Sequence, residues 1–186
     1  MHSFAKLFIS ILSILIIINI GCVSERGHSP VFGPGENDNT DGGNNDHGIN
    51  IKYANELPEI EQAIFDLTNE HRVNLGLPEL AWSNTVAKQC RQHSSNMALG
   101  YVSFGHTGLS ERINKIRQNF PNTFGVELIS RHGPSTKLPE HIITEWLQDL
   151  EQRQYIEGDY QITGVGVAKS ANNNFYITQI YIKQGD

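Results

Sequence analysis

Three observations predict an α+β fold for this 186-residue chain. Helical periodicity runs from Pro58 to about Arg153, the period falls to two from Tyr160 to Lys183, and strand and helix patterns nowhere alternate in the βαβ rhythm of a parallel sheet. The length suits one globular domain. Lys and Arg total 14 against 20 Asp and Glu, a formal charge of -6. No basic block is present that could neutralise a phosphate backbone, so nucleic acid is excluded as a partner.

Residues 7–20 are apolar apart from Ser10, Ser13 and Asn19, follow a single Lys6, and end at Gly21 and Cys22. At about 1.5 Å per residue, such a helix falls well short of a roughly 30 Å hydrocarbon core. The segment therefore reads as a signal peptide over residues 1–22. Cys22, directly after a small residue, resembles the lipidation box of bacterial lipoproteins, whose cysteine carries the lipid and becomes the first residue. A plain cleaved signal or an uncleaved anchor is the alternative, because Asn19 stands where that pattern has an aliphatic residue. Residues 23–50 are rich in Gly, Asn, Asp and Pro and hold most of the excess acid. This composition cannot bury enough apolar surface to offset its ordering entropy, so it is expected to be a disordered linker.

The folded domain is expected over residues 51–186. A first helix from Pro58 to Leu75 places Ile60, Ile64, Leu67 and Leu75 on one face, with Gly76 as its stop. A second follows Ser83, with Val86, Cys90, Ser94 and Met97 in one stripe, and ends at Gly100. Ser110 is the expected cap of a third, which turns Ile113 and Ile116 inward. A fourth runs from Pro139 to about Arg153, with Ile142, Ile143, Trp146 and Leu150 inside. Tyr160–Lys169 and Phe175–Lys183, joined by residues 171–174, form a β-hairpin.

HExxH, GxSxG, CxxC and a phosphate-binding glycine loop are all absent from the sequence. Gly164 and Gly166 lie in a strand pattern and predict close backbone packing. His71 and His93 sit in apolar helix stripes, so both are expected to be core histidines bonded to a carbonyl or a carboxylate. Cys90 shares the stripe of His93, where a thiol is inert.

The series Asn69-Glu70-His71-Arg72, Gly76-Leu77-Pro78-Glu79-Leu80-Ala81-Trp82, His93-Ser94-Ser95-Asn96-Met97-Ala98, Phe104-Gly105-His106, Gly125-Val126-Glu127-Leu128-Ile129, Trp146 and Gly164-Val165-Gly166-Val167-Ala168 resembles the bacterial, SCP-like branch of the CAP superfamily. That superfamily comprises the cysteine-rich secretory, antigen 5 and pathogenesis-related 1 proteins. The resemblance covers residues 58–183 and implies an α-β-α sandwich, with helices packed around a small antiparallel sheet. It also implies a surface cleft of two histidines and two acids, which holds a divalent metal in some members.

Carried over, His106 matches the first histidine and Glu127 the first acid, in a GVEL setting where the family has GEN. Asp149, three residues after Trp146, matches the second acid. Gln152, before Arg153, stands where the family has its second histidine. The resemblance thus implies a binding cleft of His106, Glu127, Asp149 and Gln152; the residues by themselves leave equally open a His106–Glu127 ion pair or hydrogen bond that braces two loops, with Asp149 a solvated charge. No cofactor is required, and any zinc bound by His106 and Glu127 is held weakly, because a glutamine amide is a poor substitute for imidazole.

The expected function is that of an extracytoplasmic binding module, non-enzymatic, for a lipid, glycan or protein. It would stand in the cell envelope, anchored to the membrane through its N-terminal lipid or signal segment and facing the periplasm or exterior, or else be secreted. The alternative is a hydrolase in which Glu127 orients His106 as general base, with or without a metal.

Overall fold

The computed structural model describes residues 56–185. The signal peptide of residues 1–22 with Cys22, the linker of residues 23–50, and residues 51–55 at the start of the expected domain lie outside the described residues. The elements in chain order are α1 (Glu56–Asn74), β1 (Ala81–Trp82), α2 (Asn84–Ala98), α3 (Leu109–Arg117), β2 (Thr123–His132), α4 (Leu138–Gln148), α5 (Leu150–Ile156), β3 (Ile162–Lys169) and β4 (Phe175–Gln184). Among the described residues no helix is long and apolar enough to cross a membrane.

The strands form one sheet in the order β1-β3-β4-β2. The expected hairpin is β3–β4, closed by Ser170 and Asn174, with Asn173 in the left-handed region at φ 61°. Two strands escaped the sequence reading. β2 is an edge strand paired antiparallel to β4 along its whole length, from Thr123 opposite Gln184 to His132 opposite Phe175. β1 pairs parallel to β3 through Ala81 and Trp82 only, so the sheet is mixed rather than wholly antiparallel.

Side chains alternate across a strand, so β4 divides the core in two. Phe175, Ile177 and Tyr181 join Ile64 of α1, Ile142 and Trp146 of α4, and Ile156 of α5 on one face. Ile180 and Ile182 join Val86 and Cys90 of α2 and Ile113 and Ile116 of α3 on the other. The result is the expected three-layer α-β-α sandwich. Gly164 and Gly166 let α2 approach β3: a Cβ at Gly164 would overlap the backbone of Val86 and Ala87, and one at Gly166 that of Cys90 and Arg91.

Two helix assignments change. α3 starts after Gly108, which takes a left-handed φ of 79°, and Ser110 lies inside the helix rather than capping it. The expected fourth helix is two helices. Asp149 adopts an extended ψ of 125°, ends α4, and caps α5 by accepting the amide N–H of Gln152 at 2.9 Å. That break turns Leu150 outward, where it is 62% exposed instead of inside.

On α1 the buried stripe is largely polar, made by Glu61, Ile64, Thr68, Asn69 and Arg72, while Leu75 is exposed. Asn69 holds Leu80 by both its backbone groups. Arg72 donates to the carbonyls of Pro78, Ile156 and Gly158. Glu61 accepts the Arg91 guanidinium and the amide of Val167. The Asn69–Arg72 run therefore ties loops to the frame, and His71, partly exposed, bonds Glu157 at 3.0 Å.

Candidate functional site

The site begins on α2, whose N-cap Ser83 accepts the amide of Val86 and whose C-terminus is closed by Leu99 and Gly100. His93 lies on its buried face. Arg112 of α3 donates through Nη1 to His93 Nδ1 at 3.1 Å, and a guanidinium can only donate. The His93 proton is therefore on Nε2, which donates to the carbonyl of Gly105 at 2.8 Å. Burial first, and then the charge of Arg112, hold the imidazole below its ordinary pKa of 6.5. His93 is thus a neutral core histidine that pins the loop after α2. The same stripe buries Cys90, whose thiol donates to the carbonyl of Gly164 at 3.2 Å; burial, followed by the charge of Glu127, raises its pKa well above the usual value. It is no nucleophile.

Arg112 reaches across to Glu127 on β2. Its Nε donates to Oε2 at 2.8 Å and its Nη2 to Oε1 at 2.7 Å, a two-pronged pair in which the Glu127 side chain is wholly shut from solvent. The remaining Nη1 contact goes to the carbonyl of Thr107 at 2.8 Å. His106 closes the cluster, with Nδ1 at 2.9 Å from Glu127 Oε1. Because that oxygen only accepts, Nδ1 carries the proton and the lone pair of the neutral ring sits on Nε2. The His106 side chain is 52% exposed. Burial alone would raise the Glu127 pKa, but the hydrogen bonds from His106 and Arg112 and the charge of Arg112 outweigh it and hold the carboxyl below its ordinary range.

His106 and Glu127 are thus brought together as expected, and Asp149 and Gln152 are not brought to them. Glu127 pairs with Ile180, which belongs to the α2 and α3 side, whereas the next residue, Val126, packs into the α4 and α5 side. Asp149 caps α5 and Gln152 lies on it, a helix whose Ile156 packs on that other side. Asp149 is engaged as a helix cap, and the Oε1 of Gln152 is buried with no hydrogen-bond partner among the described residues. The expected four-residue cleft is replaced by a two-residue pair on one layer and a helix start on another. The reason is the period of two: in the GVEL run the acid is one residue later than in GEN, and a one-residue shift along a strand changes faces.

That arrangement does not fit zinc. Both oxygens of Glu127 are engaged by a cation already present, Arg112, which leaves one imidazole nitrogen of His106 as a free donor. Among the described residues no three of His, Cys, Asp and Glu gather as a metal would require. His93 is the core histidine bonded to a carbonyl that the sequence leads one to expect, whereas Arg112 escaped the sequence reading. The signal was there: Arg112 and Ile116 are four residues apart and share the inward face of α3, so a charge in that stripe needs a buried partner.

Comparison with known proteins agrees with this architecture. Residues 65–181 match the model of the cysteine-rich secretory protein family, CAP. A 1.5 Å crystal structure of an extracellular protein containing an SCP domain from Bacillus anthracis aligns at a TM-score of 0.60 with 25% identity, over 73% of this chain and 44% of that one. An outer surface protein from Borrelia burgdorferi aligns at 0.56 with 18% identity, over 68% of this chain and 94% of that one. A cysteine-rich secretory protein from Staphylococcus aureus aligns at 0.57 with 15% identity, over 70% and 41%. The chain spans less than half of the Bacillus and Staphylococcus proteins. No curated protein matches the sequence closely enough to count as a relative.

Proposed function

Because the chain belongs to the cysteine-rich secretory protein (CAP) family, we propose that it is a non-enzymatic binding module of the cell envelope, held to the membrane through Cys22 and presenting the loop around His106 to a ligand. One observation carries the reading. The Glu127 carboxylate is closed from solvent and shared between Arg112 and His106, so it braces the loop instead of serving as a base or nucleophile. What faces outward is a positioned imidazole edge. The extracellular SCP-domain protein of Bacillus supports an extracytoplasmic location, as does the apolar leader ending at Cys22.

The 2.9 Å contact from Glu127 to His106 Nδ1 also favours a second reading, a hydrolase, since a carboxylate in that position orients the ring with the Nε2 lone pair turned to the other side. Assay of the full chain against peptide and ester substrates separates the two. Binding alone predicts no turnover that depends on His106, and turnover abolished by His106→Ala would replace this reading with the hydrolase. Anchoring has its own check: Cys22→Ser should move the protein from the membrane to the soluble fraction, and the intact mass of the unaltered protein should include acyl chains.

A further inference from the structure

The loop that carries His106 also carries two outward aromatic rings, Tyr101 at 76% and Phe104 at 44% exposure. It is held firmly for a surface loop. Tyr101 N–H bonds the carbonyl of Asn96, Gly105 is bonded by buried His93, and Thr107 by buried Arg112. Phe104 meets Tyr176 of β4 edge to face, with ring centroids 6.4 Å apart. The guanidinium of Arg131 lies 5.3 Å from the Phe104 ring centroid, and Arg131 makes no ion pair with a carboxylate among the described residues. Arg131 is opposite Tyr176 in the register of β2 and β4, on the same face as Glu127. Four residues along β2 separate the backbones of Arg131 and Glu127 by about 13 Å. Phe104 and Tyr176 cluster at Arg131, and His106 is bonded to Glu127.

We propose that this strip, Tyr101, Phe104, Tyr176, Arg131 and His106, is a binding site for an acidic oligosaccharide, one whose sugars carry carboxylates. The inference rests on the binding-module reading above and names its ligand class. The negative face of an aromatic ring attracts the weakly positive C–H groups on the flat side of a pyranose, as it does the edge of another ring. Arg131 offers a planar fork that matches a carboxylate with two parallel hydrogen bonds. His106 supplies a hydrogen-bonding nitrogen farther along, so the strip suits a chain of sugars better than one. An aromatic platform held by buried anchors loses little freedom on binding, which favours affinity from a shallow surface.

The test uses the full chain in detergent, titrated calorimetrically with a panel of uronate-bearing and sialate-bearing oligosaccharides and with their carboxyl-reduced counterparts. Saturable binding is expected for at least one acidic member. It should weaken tenfold or more on carboxyl reduction, in Arg131→Met and in Phe104→Ala, and should be unchanged in Lys183→Ala. Melting temperatures of the variants identify any loss of fold, and Phe104→Leu, which keeps the bulk without the ring, repeats the test if Phe104→Ala unfolds. Failure of every acidic member to bind overturns the proposal, as does equal binding of the reduced sugars or indifference to Arg131→Met. Tighter binding of an acidic peptide of equal charge would also overturn it, while leaving the binding-module reading in place. Turnover of a substrate dependent on His106 would overturn that reading instead.

Discussion

His93 and Glu127 make the interior of this domain sensitive to acid, and the sign follows from their neighbours. The native state holds His93 neutral with a lowered pKa, so below about pH 6.5 the unfolded chain takes up a proton that the native state resists, and stability is lost as the pH falls. Glu127, also lowered, contributes stability that is present above the ordinary carboxyl value of 4.5 and is lost as the pH falls through its native pKa. The melting temperature should therefore decline between pH 7 and pH 5, and His93→Gln should flatten that part of the profile relative to the unaltered protein. His93→Ala should cost about 2 to 4 kcal/mol in chemical denaturation, from lost packing and from the unpaired Gly105 carbonyl and Arg112 N–H. Arg112→Met leaves the Glu127 carboxylate buried without its cation and should cost about 3 to 5 kcal/mol at pH 7. The same variant should shift acid unfolding to higher pH, because the carboxyl then protonates more readily.

The elements meet closely in one place above all, where α2 lies on β3. Gly166→Ala puts a methyl against the backbone of Cys90 and Arg91, atoms that cannot swing aside as a side-chain tip would. Separating helix from strand should cost about 1 to 3 kcal/mol, measurable as a lower denaturation midpoint. The broken fourth helix teaches a related lesson. An apolar wheel drawn through Leu150 predicts continuity, yet Asp149 satisfies a backbone N–H of the following turn and so favours a fresh start. On α1 the polar residues Thr68 and Arg72 follow Ile64 at four-residue steps, so its buried face was legible once charge and hydroxyl were allowed inside it. Their partners are backbone carbonyls and strand side chains far along the chain, which no local pattern reveals.

For the whole molecule, two apolar layers flank the sheet among the described residues, and residues 26–50, rich in Gly, Asn and Asp, lack the apolar periodicity to add to them. Deleting residues 26–50 should leave the melting temperature within a few degrees, and a large fall would show that this segment contributes to the core. Local patterns alone determined a good deal. Helical stripes located α2, α3 and the start of α4, alternation located β3 and β4, and the pair Gly164 and Gly166 announced a close approach. The ordered motifs were specific enough to indicate the family and the sandwich, because each of these signals is carried by residues a few positions apart. The strands β1 and β2 were not read, since one has two residues and the other takes its partner from β4, some fifty positions later. The site divided in the same way. His106 and Glu127 could be named as a pair from their motifs, but their meaning depended on which face of β2 the acid occupies. Only the tertiary structure decided that, by bringing Arg112 and His93 onto the face of Glu127 and leaving Asp149 and Gln152 on the other. The physical reason is that a strand turns its side chains over at every residue, while the charges that neutralise a buried carboxylate come from whichever helix is packed above it.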